Sequence, residues 1–260
     1  MPGEIFILEG FLSQVASMWS GGKDSYLSLQ EAISQGFSVT SIINYKWVYP
    51  QPPKPNAVKS LMSSVLKRVS SSKPYKYVPH EVNSEIVAIQ VQAMEIPLVQ
   101  SEVSWATFED QFRTTIRKLK PGVEGVVWGA ERGQTSMHMN RLRQISSELD
   151  VKVIIPLAGR TEDQNLIEFT KEGYEAIVIV VDSDQLSEDW LGRKVDADFI
   201  ETIRRSVKEQ GVEAGDIEFH TLVTDAPLFK KRLKVVKSTK SSKNGISVLD
   251  ISKAELINKT

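Results

Sequence analysis

The sequence contains no cysteine, and that absence excludes several kinds of chemistry at once. Disulfides, thiolate metal sites, cysteine nucleophiles and persulfide carriers all require a thiol that this chain does not have. A strong charge of one sign is missing as well, since the formal net charge is −1. Such a chain supplies no overall field for nucleic acid, so the charge balance argues against a nucleic-acid partner.

Long hydrophobic runs are also absent. No stretch approaches the roughly 20 consecutive apolar residues that a membrane-spanning helix needs. The opening segment MPGEIFILEGFL is partly apolar, but it lacks the basic region and the small-residue cleavage site of a signal peptide. We therefore expect a cytoplasmic protein with no membrane contact.

From Val15 to Leu157, short apolar runs alternate with segments of helical period, a pattern typical of parallel strands joined by helices. It predicts an α/β fold, a Rossmann-like parallel sheet with helices on both faces. The predicted strands are 14–19, 38–44, 75–79, 98–101, 125–128 and 151–155. The predicted helices are 24–35, 57–69, 84–94, 108–118 and 137–149.

After Pro156 the pattern changes, and we predict a smaller α+β domain over 156–240 that follows a first domain over 1–155. Its predicted elements are helices 162–172 and 197–210, strand 176–181, and paired strands near 218–223 and 232–236. Residues 241–260 form a basic tail, in which 246–251 is a candidate for one more strand. Seven basic residues fall between Lys230 and Lys243. They indicate an edge strand protected by lysines, with a docking edge for an acidic or ribonucleoprotein partner as the alternative.

One short sequence in the first domain contains the candidate binding residues. It lies where a strand-like run ends and a helix-like run begins. It reads Ser20, Gly21, Gly22, Lys23, Asp24 and Ser25. A glycine-rich bend into a helix aims backbone N–H groups at one point, which creates a site for an anion such as phosphate. A Walker loop is excluded because Asp24 follows the lysine, and a dinucleotide fingerprint because Ser20 occupies a glycine position.

This string matches the Ser-Gly-Gly-x-Asp-Ser loop of the N-type ATP pyrophosphatase (PP-loop) superfamily. The resemblance implies a fold of the adenine nucleotide alpha hydrolase type, and it implies that ATP is cleaved between its α and β phosphates with Mg²⁺. Asp24 would orient the loop or reach the metal, and Lys23 and Asp24 would act in catalysis. The ATP-binding residues implied are Trp19, Ser20, Gly21, Gly22, Lys23, Asp24, Ser25, Asn44 and Gly129.

The second half resembles the diphthine–ammonia ligase family. The matching segments are PLAGR at 156–160, AIVIVVD at 176–182, WLGR at 190–193 and EFHTLVTDAPLFKK at 218–231. The resemblance, which spans 14 to about 236, implies that the carboxylate of diphthine on elongation factor two is activated as an acyl-adenylate. Ammonia then attacks it to give diphthamide, AMP and pyrophosphate. The resemblance does not decide whether the chain forms a homodimer.

Glu218 and His220 alternate on one face of a predicted strand, an arrangement that suits a catalytic acid/base pair or ammonia binding. Together with Thr221 they are the predicted substrate-binding residues. Before them the chain departs from the family, since Ala214–Ile217 replaces the usual Gly-Glu-x-Gly and one carboxylate is lost. Asp216 and Glu213 are the candidates to replace it. The departure leaves two alternatives: a PP-loop enzyme for a tRNA base or small carboxylic acid, or a non-catalytic protein that binds adenine nucleotides.

Overall fold

A computed structural model describes residues 13–48, 82–129 and 137–259 of the chain. The predicted helix 57–69 and the predicted strand 75–79 lie outside the described residues. Within the described residues, none of the helices combines the length and the apolar character that crossing a membrane requires.

The first part of the described chain forms a parallel sheet of five strands. These are β1 (Gln14–Met18), β2 (Ser38–Trp47), β3 (Leu98–Val103), β4 (Gly125–Val127) and β5 (Lys152–Ile154). Their order is β3-β2-β1-β4-β5, so the chain leaves β1 toward one edge and later returns to build the other. In such sheets a crevice opens beyond the carboxyl ends of the strands where the order reverses, here between β1 and β4.

Helices cover both faces of this sheet, as predicted. They are α1 (Lys23–Ser34), α2 (Ser84–Gln92), α3 (Phe108–Leu119) and α4 (Met137–Glu148). Neighbouring residues of β2 point to opposite faces. Ile42 packs in a cluster with Leu29 of α1, whereas Ile43 packs in another with Phe112 of α3 and Leu142 of α4. The Rossmann-like α/β prediction is therefore confirmed.

The second part adds a four-stranded antiparallel sheet and two helices. Its elements are α5 (Glu162–Lys171), β6 (Glu175–Asp182), α6 (Ala197–Gln210), β7 (Phe219–Asp225), β8 (Arg232–Lys243) and β9 (Ile246–Ile257). The smaller α+β region is thus confirmed. Its buried side chains form one continuous cluster with one face of the first sheet. The division of the chain into domains at the predicted boundaries stays a prediction.

The predicted pairing between the strands now called β7 and β8 is wrong. The order is β7-β6-β9-β8, so two strands separate them. The reason is that β8 forms a hairpin with β9 and pairs with it along its length. Asn244 and Gly245 between them both have positive φ, 56° and 76°, which suits a tight turn. The extra strand expected near 246–251 is present as part of β9.

In the described sheet β8 is an edge strand, as the run of basic residues predicted. Lys234, Lys237 and Lys240 on it are exposed. Charged side chains on an edge strand discourage pairing with other chains.

Candidate active site

The glycine string of the sequence forms the loop between β1 and α1, at the carboxyl edge of the first sheet. Gly21 has φ +90°, a conformation that favours glycine. A Cβ atom on Gly22 would lie 3.1 Å from the carbonyl oxygen of Thr221, so the backbone of the loop approaches β7 closely. Because α1 begins at Lys23, the positive end of this helix faces the same point.

A cavity of about 600 Å³ opens over this loop. Its walls come from the ends of β1, β2 and β4, from the first turn of α1 and from β7. Most of the predicted site residues line it: Trp19, Ser20, Gly22, Lys23, Asp24, Ser25, Asn44, Gly129, His220 and Thr221. Gly21 and Glu218 are not among the described residues that line it. The structure therefore brings the loop and part of β7 into one site.

Besides Lys46 and Ser84, the rest of the cavity wall consists of aromatic and aliphatic side chains, most of which had no role predicted from the sequence. They are Met18, Tyr45, Trp47, Val82, Phe108, Trp128, Met139 and Phe219. A concave site with an apolar wall and a few converging polar groups is typical of small-molecule binding. A purine base has a suitable environment here beside the anion-binding loop.

Gly129 allows the end of β4 to pack directly on α1. A Cβ atom at this position would lie 3.0 Å from both the amide nitrogen and the Cα atom of Ser25, closer than side chains normally approach. The residue is therefore a packing requirement of the loop, whatever else it contacts.

Asn44 connects the ends of β1 and β2 at the cavity. Its Nδ2 donates to the carbonyl oxygen of Trp19 at 2.8 Å, and its Oδ1 accepts from Gln100 Nε2 at 3.0 Å. The amide orientation of Asn44 is thus set by an acceptor just after β1 and a donor on β3.

The side chain of Lys23 is buried, with 3% of the residue exposed. Its Nζ lies 2.6 Å from Asp24 Oδ1, 2.7 Å from Glu162 Oε1 and 5.3 Å from the centre of the Phe219 ring. Burial by itself would lower the pKa of Lys23, but the charges of Asp24 and Glu162 outweigh it and raise this pKa. Lys23 is a stable cation in the wall of the site.

Glu162 was not predicted from the sequence. It is the first residue of α5, and only 5% of it is exposed, although glutamate is rarely buried without a partner. The only sequence signal was an acidic residue at a helix start, which suits the helix dipole anywhere on a protein surface. Its partner Lys23 is far away in the sequence, so the ion pair is visible only in the fold.

Hydrogen bonds from two backbone amides hold the loop against β7. The amide of Lys23 donates to Thr221 Oγ1 at 3.0 Å, and the amide of Val223 donates to the carbonyl oxygen of Gly21 at 2.9 Å. The strand that carries His220 is therefore fixed relative to the loop.

Gln90 of α2 completes this junction, a role that was not predicted from the sequence. The side chain is fully buried. Its Nε2 donates to the carbonyl oxygens of Gly21 and Val223 at 2.9 and 2.7 Å, and its Oε1 accepts from Trp19 Nε1 at 2.8 Å. One amide thus connects β1, the loop and β7.

Glu218 and His220 lie together, as their alternation on one strand face predicted. Glu218 Oε1 is 3.2 Å from His220 Nε2, and His220 lines the cavity. The two candidates for the missing carboxylate lie elsewhere: the amide of Glu213 donates to Asp216 Oδ2 at 3.0 Å, in a local capping arrangement. Neither is among the described residues of the cavity wall. The buried carboxylate beside Lys23 is instead that of Glu162.

A nucleotide with Mg²⁺ fits these residues. The described part of the chain contains no group of three or more histidine, aspartate or glutamate side chains arranged as a metal site. Magnesium bound with a nucleotide takes most of its ligands from phosphate and water, however, and needs one or two carboxylates from the protein. Asp24 lines the cavity, and 35% of its side chain is exposed.

The fold and the loop define an α/β protein of the PP-loop type, and comparison with known proteins narrows this class. Residues 55–153 match the model of the diphthamide synthase N-terminal domain, and residues 162–257 match that of the diphthamide synthase C-terminal domain. The chain belongs to the diphthamide synthase family, and the family resemblance expected from the sequence is confirmed.

The individual relatives that match this chain carry the name of the same activity, and their sequence identity to the chain is modest. The chain is 25% identical over 238 residues to the diphthine–ammonia ligase of Schizosaccharomyces pombe, an alignment that covers 85% of this chain and 36% of the relative. It is 25% identical over 245 residues to that of Homo sapiens, with 86% and 84% covered. The chain therefore spans about a third of the yeast relative and most of the human one.

A solved structure with a related outline is a predicted subunit of tRNA methyltransferase from Methanocaldococcus jannaschii. The TM-score is 0.37 at 13% identity, with 82% of this chain and 96% of that chain covered.

Proposed function

We propose that this chain is an ATP-dependent ligase that joins ammonia to the carboxylate of diphthine on elongation factor two. The observation that carries the proposal is the shared cavity: the phosphate-type loop with Lys23 and Asp24 lies in the same site as His220. A ligase that activates a carboxylate needs a nucleotide and an acceptor side by side. Membership of the diphthamide synthase family supports this choice of acceptor.

The first step is the activation of a poor electrophile. The acceptor carboxylate attacks the α phosphorus of ATP, the bond to the β phosphate breaks, and an acyl-adenylate and pyrophosphate form. The loop amides, the amino end of α1 and the Lys23 ammonium stabilise the negative charge that develops on the leaving pyrophosphate. Asp24 would hold Mg²⁺, which would supply positive charge to stabilise the leaving pyrophosphate.

The second step forms the amide. The nitrogen of ammonia attacks the acyl carbon, and AMP leaves with the bonding electron pair. The attacking nitrogen must lose a proton, and His220 in the cavity wall is the group proposed to accept it. Glu218 at 3.2 Å orients the ring and stabilises the imidazolium that results.

Because the segment before Glu218 differs from the family, one alternative is that the chain acts on another acceptor, such as a tRNA base or a small carboxylic acid. A non-catalytic nucleotide-binding protein is the other alternative. Product analysis separates all three. The purified chain is incubated with ATP labelled at the α phosphate, Mg²⁺, ammonia and diphthine-bearing elongation factor two.

The proposal predicts labelled AMP that depends on the elongation factor, and diphthamide detected by mass spectrometry. The Lys23→Ala variant should form neither product, whereas Lys152→Ala, which removes an exposed lysine on β5, should behave as wild type. Labelled ADP would contradict the proposed chemistry. If AMP forms only with another acceptor, the alternative hypothesis of a PP-loop enzyme with a different substrate is supported. The cytoplasmic location stays a prediction.

A further inference from the structure

Glu162 is held in place by the start of its own helix. Thr161 Oγ1 accepts from the amide of Gln164 at 3.2 Å, and Gln164 Oε1 accepts from the amide of Thr161 at 2.8 Å. This capping box fixes where α5 begins, and Glu162 is its first residue. The carboxylate beside Lys23 therefore sits on a rigid element.

Immediately around the Lys23 ammonium, the side-chain charges do not favour an anion. The single ammonium of Lys23 contacts two carboxylates, those of Asp24 and Glu162. The Asp24 side chain is 35% exposed and can turn toward solvent or a cation, whereas the Glu162 side chain is 6% exposed. Water and salt screen a buried charge poorly. Glu162 thus repels any phosphate group that occupies the loop.

Stability alone gives a weak reason for this arrangement. A buried ion pair is often no more stabilising than apolar side chains of similar size, because both charges lose their hydration. A lysine ammonium has three N–H donors, and the two carboxylates orient two of them. The remaining donor direction is then fixed as well, which is useful where a phosphate oxygen must be met in one geometry.

We propose that Glu162 is a positioning residue, which holds the Lys23 ammonium in the cavity wall and whose charge keeps the affinity for pyrophosphate low enough for this product to leave. The inference rests on the proposed function, in which pyrophosphate is released from the loop. Glu162 acts on the phosphates through Lys23 and through its own field, without a contact to the reacting atoms.

The test is calorimetric titration of the full chain with magnesium pyrophosphate. Glu162→Gln keeps the shape and the hydrogen-bond acceptor but removes the charge. We expect it to bind pyrophosphate about tenfold more tightly than wild type, because the variant no longer carries the negative charge that repels the bound phosphates. Glu168→Gln is the matched control. It removes a carboxylate of the same helix, which contacts Arg160 at 2.7 Å, and should leave the affinity unchanged.

A second neutral variant that keeps an amide oxygen as acceptor, Glu162→Asn, keeps the test decisive if the first does not fold, with circular dichroism as the check of folding. A merely structural role predicts the opposite sign, because a disordered Lys23 binds phosphate less well. Equal or weaker pyrophosphate binding in a folded neutral variant would therefore overturn the inference. In turnover, the neutral variants should lower both KM for ATP and kcat, since tighter product binding slows release.

The binding assay contains no acceptor, so the two proposals fail separately. Tighter pyrophosphate binding without any AMP formation would refute the ligase but support the role of Glu162. Normal AMP formation with unchanged pyrophosphate affinity would refute only the role of Glu162. Absence of pyrophosphate binding in all the chains would refute both.

Discussion

Replacement of Gln90 by leucine should loosen the loop from β7, because one buried amide makes three hydrogen bonds there. Leucine fills a similar volume but leaves the indole N–H of Trp19 and the carbonyl oxygen of Val223 without this partner. The carbonyl oxygen of Gly21 keeps the bond from the amide of Val223. Each buried group deprived of its partner costs about 1–3 kcal/mol. We therefore expect the free energy of unfolding to fall by about 2–6 kcal/mol.

Urea unfolding followed by circular dichroism measures this loss. Gln92→Leu is the matched control, because Gln92 lies on the same helix and is exposed. It should change the free energy of unfolding by less than about 0.5 kcal/mol. The Gln90 variant should also bind ATP more weakly, since the loop is no longer fixed. A Gln90→Leu protein as stable as the Gln92 control would refute the role assigned to this amide.

Three further predictions concern the same site. Gly129→Ala should weaken ATP binding and lower the thermal midpoint, since its Cβ atom would lie 3.0 Å from the Ser25 backbone. The control Gly122→Ala should do neither, because the atom nearest to its Cβ would be 3.5 Å away. Thr221→Val removes the acceptor for the Lys23 amide. Because such a hydrogen bond contributes roughly 1 kcal/mol, we expect steady-state kinetics to show a KM for ATP that is severalfold higher than in wild type. An unchanged KM would contradict the role of this hydrogen bond in ATP binding. The pKa of Lys23 is higher in the folded chain than in the unfolded one. The stability that its charge contributes is therefore fully present below the unfolded pKa of about 10.4. This stability is lost only as the pH rises through the higher folded pKa. The difference in thermal midpoint between wild type and Lys23→Met should therefore stay constant from about pH 7 to 10, and a steady decline over that range would refute the assignment.

Local patterns were enough to predict much of the fold. The alternation of apolar runs and helical segments predicted the parallel sheet, and α6 was predicted over 197–210, as observed. The string from Ser20 to Ser25 predicted the position of the loop because its glycines are needed by the backbone itself. Such features depend on neighbouring residues, which a sequence displays directly.

Contacts between distant segments were not visible in the sequence. Gln90 lies in a segment whose pattern indicated only a helix, and its three partners come from β1, the loop and β7. Glu162 resembled an ordinary acidic helix start until the fold placed it against Lys23. The wrong pairing of β7 with β8 has the same origin, since strands that follow one another in sequence often pair, but here β6 and β9 come between.

The proposed function requires that the loop at residues 20–25 holds the outer phosphates of ATP. A crystal structure with a non-hydrolysable ATP analogue and Mg²⁺ tests it most directly. We expect density for the β and γ phosphates at the loop amides, beside Lys23, with the base toward the aromatic wall of the cavity. Nucleotide density elsewhere on the chain, with no phosphate at this loop, would contradict it.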